Sequence, residues 1–172
     1  GRKPSGRRAG VSHAARPNVS RHHPLHVTLR MVDGLPSLRA EAIMRRLRGA
    51  FEQGKERFGM RLVHYSVQGN HVHCVAEAGG RRALSRGMRG LGIRVARAVN
   101  AVFERSGQVL ADRYHARALT SPREVRNVLA YVLLNRSRHA RHGTTSCDRA
   151  SSGACFDGWV EPPKLPLAVV EE

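Results

Sequence analysis

Aromatic residues, acidic residues and cysteines are all scarce in this sequence, and each scarcity excludes something. Only 5% of its 172 positions are aromatic, too few for a surface that holds single strands by stacking successive bases on rings. The three cysteines, Cys74, Cys147 and Cys155, are odd in number and lack a CxxC pair. That excludes a disulfide framework, makes a zinc finger a poor reading, and fits idle thiols in a reducing compartment. No apolar run approaches the ~18 residues of a membrane span, and no apolar h-region opens the chain. Neither a membrane anchor nor a secretory signal is expected, and the expected setting is cytoplasmic. Acidic residues number 13 against 30 lysines and arginines, a net charge of +17. Such a balance argues against most small-molecule enzymes and for a polyanionic partner, of which nucleic acid is the commonest.

With 41% hydrophobic residues the chain can still bury one domain core. Its charge is unevenly spread. Gly1 to Val32 carries Arg2, Lys3, Arg7, Arg8, Arg16, Arg21 and Arg30 and no acid, so residues 1–23 read as a basic, disordered arm. Residues 141–172, with Pro162, Pro163 and Pro166, read as an extended, loosely packed tail. Between them, residues 24–140 form the expected domain. Leu25 to Val32 predicts a strand, and Ser37 caps a helix with Ile43, Leu47, Phe51 and Phe58 at helical spacing, ending at Gly59. Val63, Tyr65 and Val67 alternate as a strand, Gln68-Gly69-Asn70 turns, and His71 to Ala78 returns as the partner of a hairpin. Leu84, Met88, Leu91, Val95, Val99 and Val102 make one helical stripe, with Arg82, Arg86, Arg89 and Arg97 on the opposite side. Tyr114 to Leu119 predicts a fourth strand. Ser121-Pro122-Arg123-Glu124 is a capping box opening a last helix that runs to about His139. The order β-α-β-β-α-β followed by a helix is an α+β, ferredoxin-like arrangement with an additional C-terminal helix.

Two groups of residues carry chemistry. In Asn70-His71-Val72-His73, His71 and His73 share one face of a strand while Val72 and Cys74 point to the core. Two neutral imidazoles at that spacing can chelate a divalent metal, although ten histidines make a chance H-x-H unsurprising. Tyr131 and Asn135, four apart on a helix, share a face beside the stripe of Val125, Val128, Leu129 and Val132. An amphipathic surface tyrosine is the plain alternative. Tyr65 and Tyr114, on strands without an i+4 polar partner, read as structural. The two groups complement each other. A phenol of pKa ~10 needs help to attack a phosphodiester, and a metal supplies it by polarising the phosphoryl oxygen. Asn135 could add an amide oxygen as a third ligand.

Three stretches together resemble the single-tyrosine HUH transposases, especially REP-associated tyrosine transposases and their insertion-sequence relatives. They are Gln68-Gly69-Asn70-His71-Val72-His73-Cys74-Val75, Ala111-Asp112-Arg113-Tyr114-His115-Ala116-Arg117 and Tyr131-Val132-Leu133-Leu134-Asn135. Relatives normally have a proline two residues before the first histidine, where this chain has Gly69. The resemblance implies His71 and His73 as metal ligands, Asn135 as third ligand and Tyr131 as nucleophile. It also implies Mg²⁺ or Mn²⁺, a single-stranded or hairpin DNA substrate, a prokaryotic setting, and action as a monomer or homodimer. The expected function is metal-dependent DNA cleavage and strand transfer through a 5′-phosphotyrosine. Arg82, Arg86, Arg89 and Arg97, with Arg113 and Arg117, would follow the DNA backbone on a surface apart from the metal. Two other readings stay open: a non-catalytic ferredoxin-like nucleic-acid-binding module, and a metal-dependent nuclease that uses water.

Overall fold

Alternating burial along the first strand, β1 (Leu25–Arg30), sets up the architecture. Leu25, Val27 and Leu29 are buried while His26, Thr28 and Arg30 are half-buried, the period-two signature of a strand whose faces differ. The computed structural model, which describes residues 19–134 and 148–160, places β1 inside a five-stranded sheet. The other strands are β2 (Glu56–Arg57), β3 (Met60–Val67), β4 (His71–Ala78) and β5 (His115–Ala118), in the spatial order β2-β3-β4-β1-β5. Every neighbouring pair is antiparallel. This is the expected ferredoxin-like split βαβ, in which β4 lies between β1 and β3, and β1 between β4 and β5.

Helices α1 (Glu41–Gly54) and α2 (Arg81–Val102) cover one face of the sheet. Their buried stripes, including Ile43, Leu47 and Phe51 from α1 and Leu84, Met88, Leu91, Val95 and Val99 from α2, join Leu25, Val27, Leu29, Val72, Cys74 and Ala76 in the main core. The α2 helix comes so close to β3 that a Cβ on Gly87 would lie 2.5 Å from Met60 Cβ. Burial of Cys74 pushes its thiol up to about 12, so it is an inert packing group, whereas Cys155 is exposed. Helix α3 (Pro122–Leu133) packs on the opposite face, where Val128 and Val132 meet Val75 and Leu119 in a smaller cluster. Its N-cap forms as expected, with Ser121 Oγ accepting the Glu124 N–H at 3.2 Å, while the Glu124 carboxylate reaches back to the Thr120 N–H at 2.7 Å rather than to that of Ser121. Among the described residues no helix is long and apolar enough to cross a membrane.

The first helix is shorter at both ends than its apolar spacing predicts. Ser37 does not cap it; its hydroxyl accepts the Arg39 N–H in a turn at 3.3 Å, and the helix begins after Ala40. At the other end Glu56 and Arg57 pair with Arg61 and Met60. Phe58 (φ 58°) and Gly59 (φ 74°) form the two-residue turn between them, with the positive φ pair that such hairpins require. Phe58 is therefore 49% exposed rather than part of the helix stripe, and the Arg86 guanidinium lies 4.9 Å from its ring centroid.

The first part of the described C-terminal stretch, residues 148–153, is packed, whereas residues 154–160 are mostly exposed. Because β2 pairs only with Met60 and Arg61, the later part of β3's outer edge is open, and Asp148–Ser152 takes it. Val67 N–H donates to the Ala150 carbonyl at 2.7 Å, and Ser152 N–H to the Tyr65 carbonyl at 3.0 Å. Asp148, 4% exposed, accepts two hydrogen bonds from Arg39 at 2.6 and 2.8 Å. Asn135, the expected end of the last helix near His139, Cys147, most of the basic arm and the rest of the tail lie outside the described residues.

Candidate active site

The face opposite α1 and α2 is apolar only where α3 covers it; beyond that it carries imidazoles and one phenol. His71 and His73 both point there, as the spacing predicts, while Val72 and Cys74 point to the main core. Their Nε2 atoms converge to 3.1 Å. From α3, Tyr131 reaches over so that its hydroxyl lies 3.1 Å from His73 Nε2, the rings meeting edge-on at 5.0 Å. Three of the predicted residues, from two elements 58 positions apart, thus come together.

The histidines' outward nitrogens have partners as well. The hairpin turn is tied to β1 by the Met31 N–H donating to the Asn70 carbonyl at 2.9 Å. The Asn70 side chain then lies beside His71, with Oδ1 2.8 Å from Nδ1. An amide oxygen only accepts, so Nδ1 of His71 donates and, in the neutral ring, Nε2 keeps its lone pair. On the other ring, His73 Nδ1 lies 3.2 Å from His26 Nε2 and 3.3 Å from Thr28 Oγ1. Thr28 is directly opposite His73 in the β1–β4 register. Sequence reasoning did not single out Asn70, His26 or Thr28 as a supporting set. The signal available was the alternation in Leu-His-Val-Thr-Leu-Arg, which puts His26 and Thr28 on one polar face.

Electrostatics keeps these rings neutral. Burial, and then the neighbouring His71 and His26, lower the His73 pKa to about 4; the residue is 7% exposed. His71 is lowered by burial and then by Arg30, and His26 by burial, Arg117 and His115. At neutral pH the site therefore offers lone pairs rather than charge. The two inward Nε2 atoms are 3.1 Å apart, and with both ring protons on the outward nitrogens they present two lone pairs to one electrophile. Adjacent ligands of an octahedral ion with bonds of 2.0–2.1 Å lie about 3.0 Å apart, so the pair fits a divalent cation. No cluster of three or more His, Cys, Asp or Glu side chains suited to a metal occurs among the described residues, so any further ligand must be of another type or lie elsewhere.

The remaining candidates are sorted by the sheet. Tyr65, its ring tilted against Phe51 with centroids 4.3 Å apart, packs against the main core on the other face, and buried Tyr114 belongs to it. Arg82, Arg86, Arg89 and Arg97 are exposed on the outside of α2, on the layer away from the imidazoles. Arg117 lies on the imidazole side, in register with His26, and pairs with Glu124. Arg113 is exposed in the loop before β5.

Residues 21–134 match the family model of the IS200-like transposases. The chain belongs to that family. It is thus a transposase, an enzyme that nicks and rejoins DNA. No curated protein matches its sequence. Among solved structures, a REP-associated tyrosine transposase bound to a REP hairpin shares the fold, with a TM-score of 0.60, 17% identity and 78% of each chain covered. A Deinococcus radiodurans R1 protein assigned as a transposase aligns at a TM-score of 0.44 and 16% identity, over 76% of this chain and 94% of that one.

Proposed function

We propose that this transposase cuts single-stranded DNA, at hairpin or REP-type sequences, by direct attack of the Tyr131 hydroxyl on a phosphodiester. The observation that carries this reading is the meeting of the His71 and His73 Nε2 atoms with the Tyr131 hydroxyl, at 3.1 Å each from His73 Nε2. A tyrosine incidental to water-based hydrolysis has no reason to stand there.

In the step itself the Tyr131 oxygen forms a bond to phosphorus and the bond from phosphorus to the 3′ oxygen breaks. The phenolic proton is lost, a proton is gained by the departing 3′-hydroxyl, and a 5′-phosphotyrosine remains. The link conserves the phosphodiester for attack by another 3′-hydroxyl, which rejoining requires. His71 and His73 would hold a divalent ion, Mg²⁺ or Mn²⁺, with Asn135, four residues beyond Tyr131 in the sequence, as a third ligand. When bound, such an ion polarises the phosphoryl oxygen and offsets the charge developing on it. Asn70 fixes the His71 ring by accepting its outward N–H, and α3 delivers the phenol through the packing of Val128 and Val132.

DNA is held mostly on the helix layer away from the imidazoles, with Arg117 on the imidazole side. Arg82, Arg86, Arg89 and Arg97 follow phosphates along the outside of α2, and Arg113 and Arg117 do so near β5. Residues 1–23 add a basic arm to the domain of residues 24–140, with 141–172 as a C-terminal extension. The test is cleavage of a hairpin oligonucleotide carrying a single-stranded flank, in Mg²⁺ or Mn²⁺. His71→Ala and His73→Ala should each lose cleavage while keeping hairpin affinity within a few-fold of wild type. Cleavage by either variant at the wild-type rate contradicts the metal assignment.

A further inference from the structure

His26 stands in the same cluster, yet the reaction as proposed does not use it. Its Nε2 is 3.2 Å from His73 Nδ1, its ring centroid is 5.2 Å from that of His73, and it meets the Tyr131 ring edge-on at 6.1 Å. It approaches His73 from the side opposite Nε2, so it cannot share a ligand with that atom.

A neutral imidazole has one N–H and one lone pair, and which nitrogen holds the proton depends on what stands beside each. For His73 to present a lone pair at Nε2, either to the Tyr131 hydroxyl or to a cation, its proton must be on Nδ1. That N–H then needs an acceptor on a residue only 7% exposed. Two atoms are within reach, His26 Nε2 at 3.2 Å and Thr28 Oγ1 at 3.3 Å. They are not equivalent. A hydroxyl rotates, and can donate to Nδ1 as readily as accept from it, which would favour the opposite tautomer. An imidazole nitrogen bearing its ring's lone pair only accepts, and His26 Nε2 is in that state when the His26 proton sits on Nδ1.

The geometry points to His26 as a positioning residue: its Nε2 accepts the Nδ1–H of His73 and so fixes the tautomer that turns the His73 Nε2 lone pair toward Tyr131 and the metal position. The inference rests on the metal reading of His73 for its consequence, but not for the hydrogen bond itself. Outer partners of metal-bound histidines typically change metal affinity 10- to 100-fold when removed. In this protein that partner is a second histidine, contributed by β1 rather than by the motif strand. The register supplies it: Thr28 stands opposite His73, and His26 is two residues further along the same face.

Two measurements on the full chain test this. In metal-free protein labelled with ¹⁵N at histidine, His73 should be protonated at Nδ1 in wild type. In His26→Phe, which keeps a ring of similar bulk, it should shift toward the Nε2-protonated form. Mn²⁺ binding followed by electron paramagnetic resonance should weaken by about 10-fold or more in His26→Phe. In His26→Gln, whose side-chain oxygen can take over as acceptor, most of that loss should be recovered. Thr28→Val should have the smaller effect. Thermal unfolding of each variant separates loss of fold from loss of tautomer. An unchanged His73 tautomer in a folded His26→Phe overturns the inference, as does unchanged Mn²⁺ affinity. If wild type binds no Mn²⁺ at all, the metal reading fails, and the tautomer measurement alone still decides the role of His26.

Discussion

On β4, Val72, Cys74 and Ala76 face α1 and α2 and are fully buried, whereas His71 and His73, one residue out of phase, face the side of α3. The same alternation divides β1 into Leu25, Val27 and Leu29 against His26, Thr28 and Arg30. Two long helices cover the first face completely. One shorter helix covers only part of the second, through Val75, Leu119, Val128 and Val132. The difference shows how a small domain can gather a polar cluster on one face of a sheet while the other face carries the main core. Burial of a continuous apolar face holds the strands in register, and the register then juxtaposes polar groups that contribute little to folding. The outer surface of the helix layer makes a further contrast. Its exposed arginines carry no ion pair among the described residues, while Arg30 and Arg117, on the strands beside the site, are each paired with a carboxylate.

Substitution across the two faces should separate stability from chemistry. Leu29→Ala, at a site 2% exposed in the main core, should cost about 2–5 kcal/mol, read as a lower midpoint of urea unfolding. Thr28→Val, the neighbouring residue on the other face, should shift that midpoint far less. Equal losses would mean that the two faces are not divided as described.

The arginine surface gives the next largest effect. Replacing Arg82, Arg86, Arg89 and Arg97 together by Ala should reduce the slope of log affinity against log salt. The reduction should be about 0.7 for each single-strand phosphate that the variant no longer neutralises. Cleavage at saturating oligonucleotide should be retained, because the imidazoles lie on the other side of the sheet. An unchanged slope would remove α2 from the DNA-binding surface.

The smallest effect is a pH dependence of stability. His73 titrates near 4 in the folded protein, mainly because it is buried, against 6.5 for the free side chain. Between those values the unfolded chain binds a proton that the folded one does not, so stability should fall as pH drops from 6.5 toward 4. His26, His64 and His71 are shifted in the same direction. Urea midpoints at pH 7.5, 5.5 and 4.5 should decrease in that order, and His73→Phe should flatten the trend. A midpoint that rises on acidification would contradict it.

Four of the five strands, most of the two long helices and the capped last helix were legible in residue spacing, as was the pairing of His71 with His73. Each depends on periodicity within one element. What was not legible depends on contacts between distant segments. Phe58 fits a helix stripe by spacing alone, but pairing of Glu56 and Arg57 with β3 turns it outward. His26, Thr28 and Asn70 become partners of the histidine pair only once β1 is set beside β4 in a particular register. Asp148–Ser152 carries no apolar period, and it packs because β2 leaves an edge of β3 open. Tyr131 was separated from Tyr65 and Tyr114 by its place on the polar flank of a helix, and the sheet puts those two on the side of the main core.

The most direct test is to identify the residue that becomes joined to DNA. Incubation with a single-stranded oligonucleotide whose cleaved 3′ fragment cannot be religated should trap a covalent adduct in the presence of Mg²⁺ or Mn²⁺. Mass spectrometry of the digested adduct should place the nucleotide on the peptide containing Tyr131, and Tyr131→Phe should give no adduct while folding normally. Attachment to Tyr65 or Tyr114, or metal-dependent nicking with no tyrosine ever joined to DNA, would contradict the account.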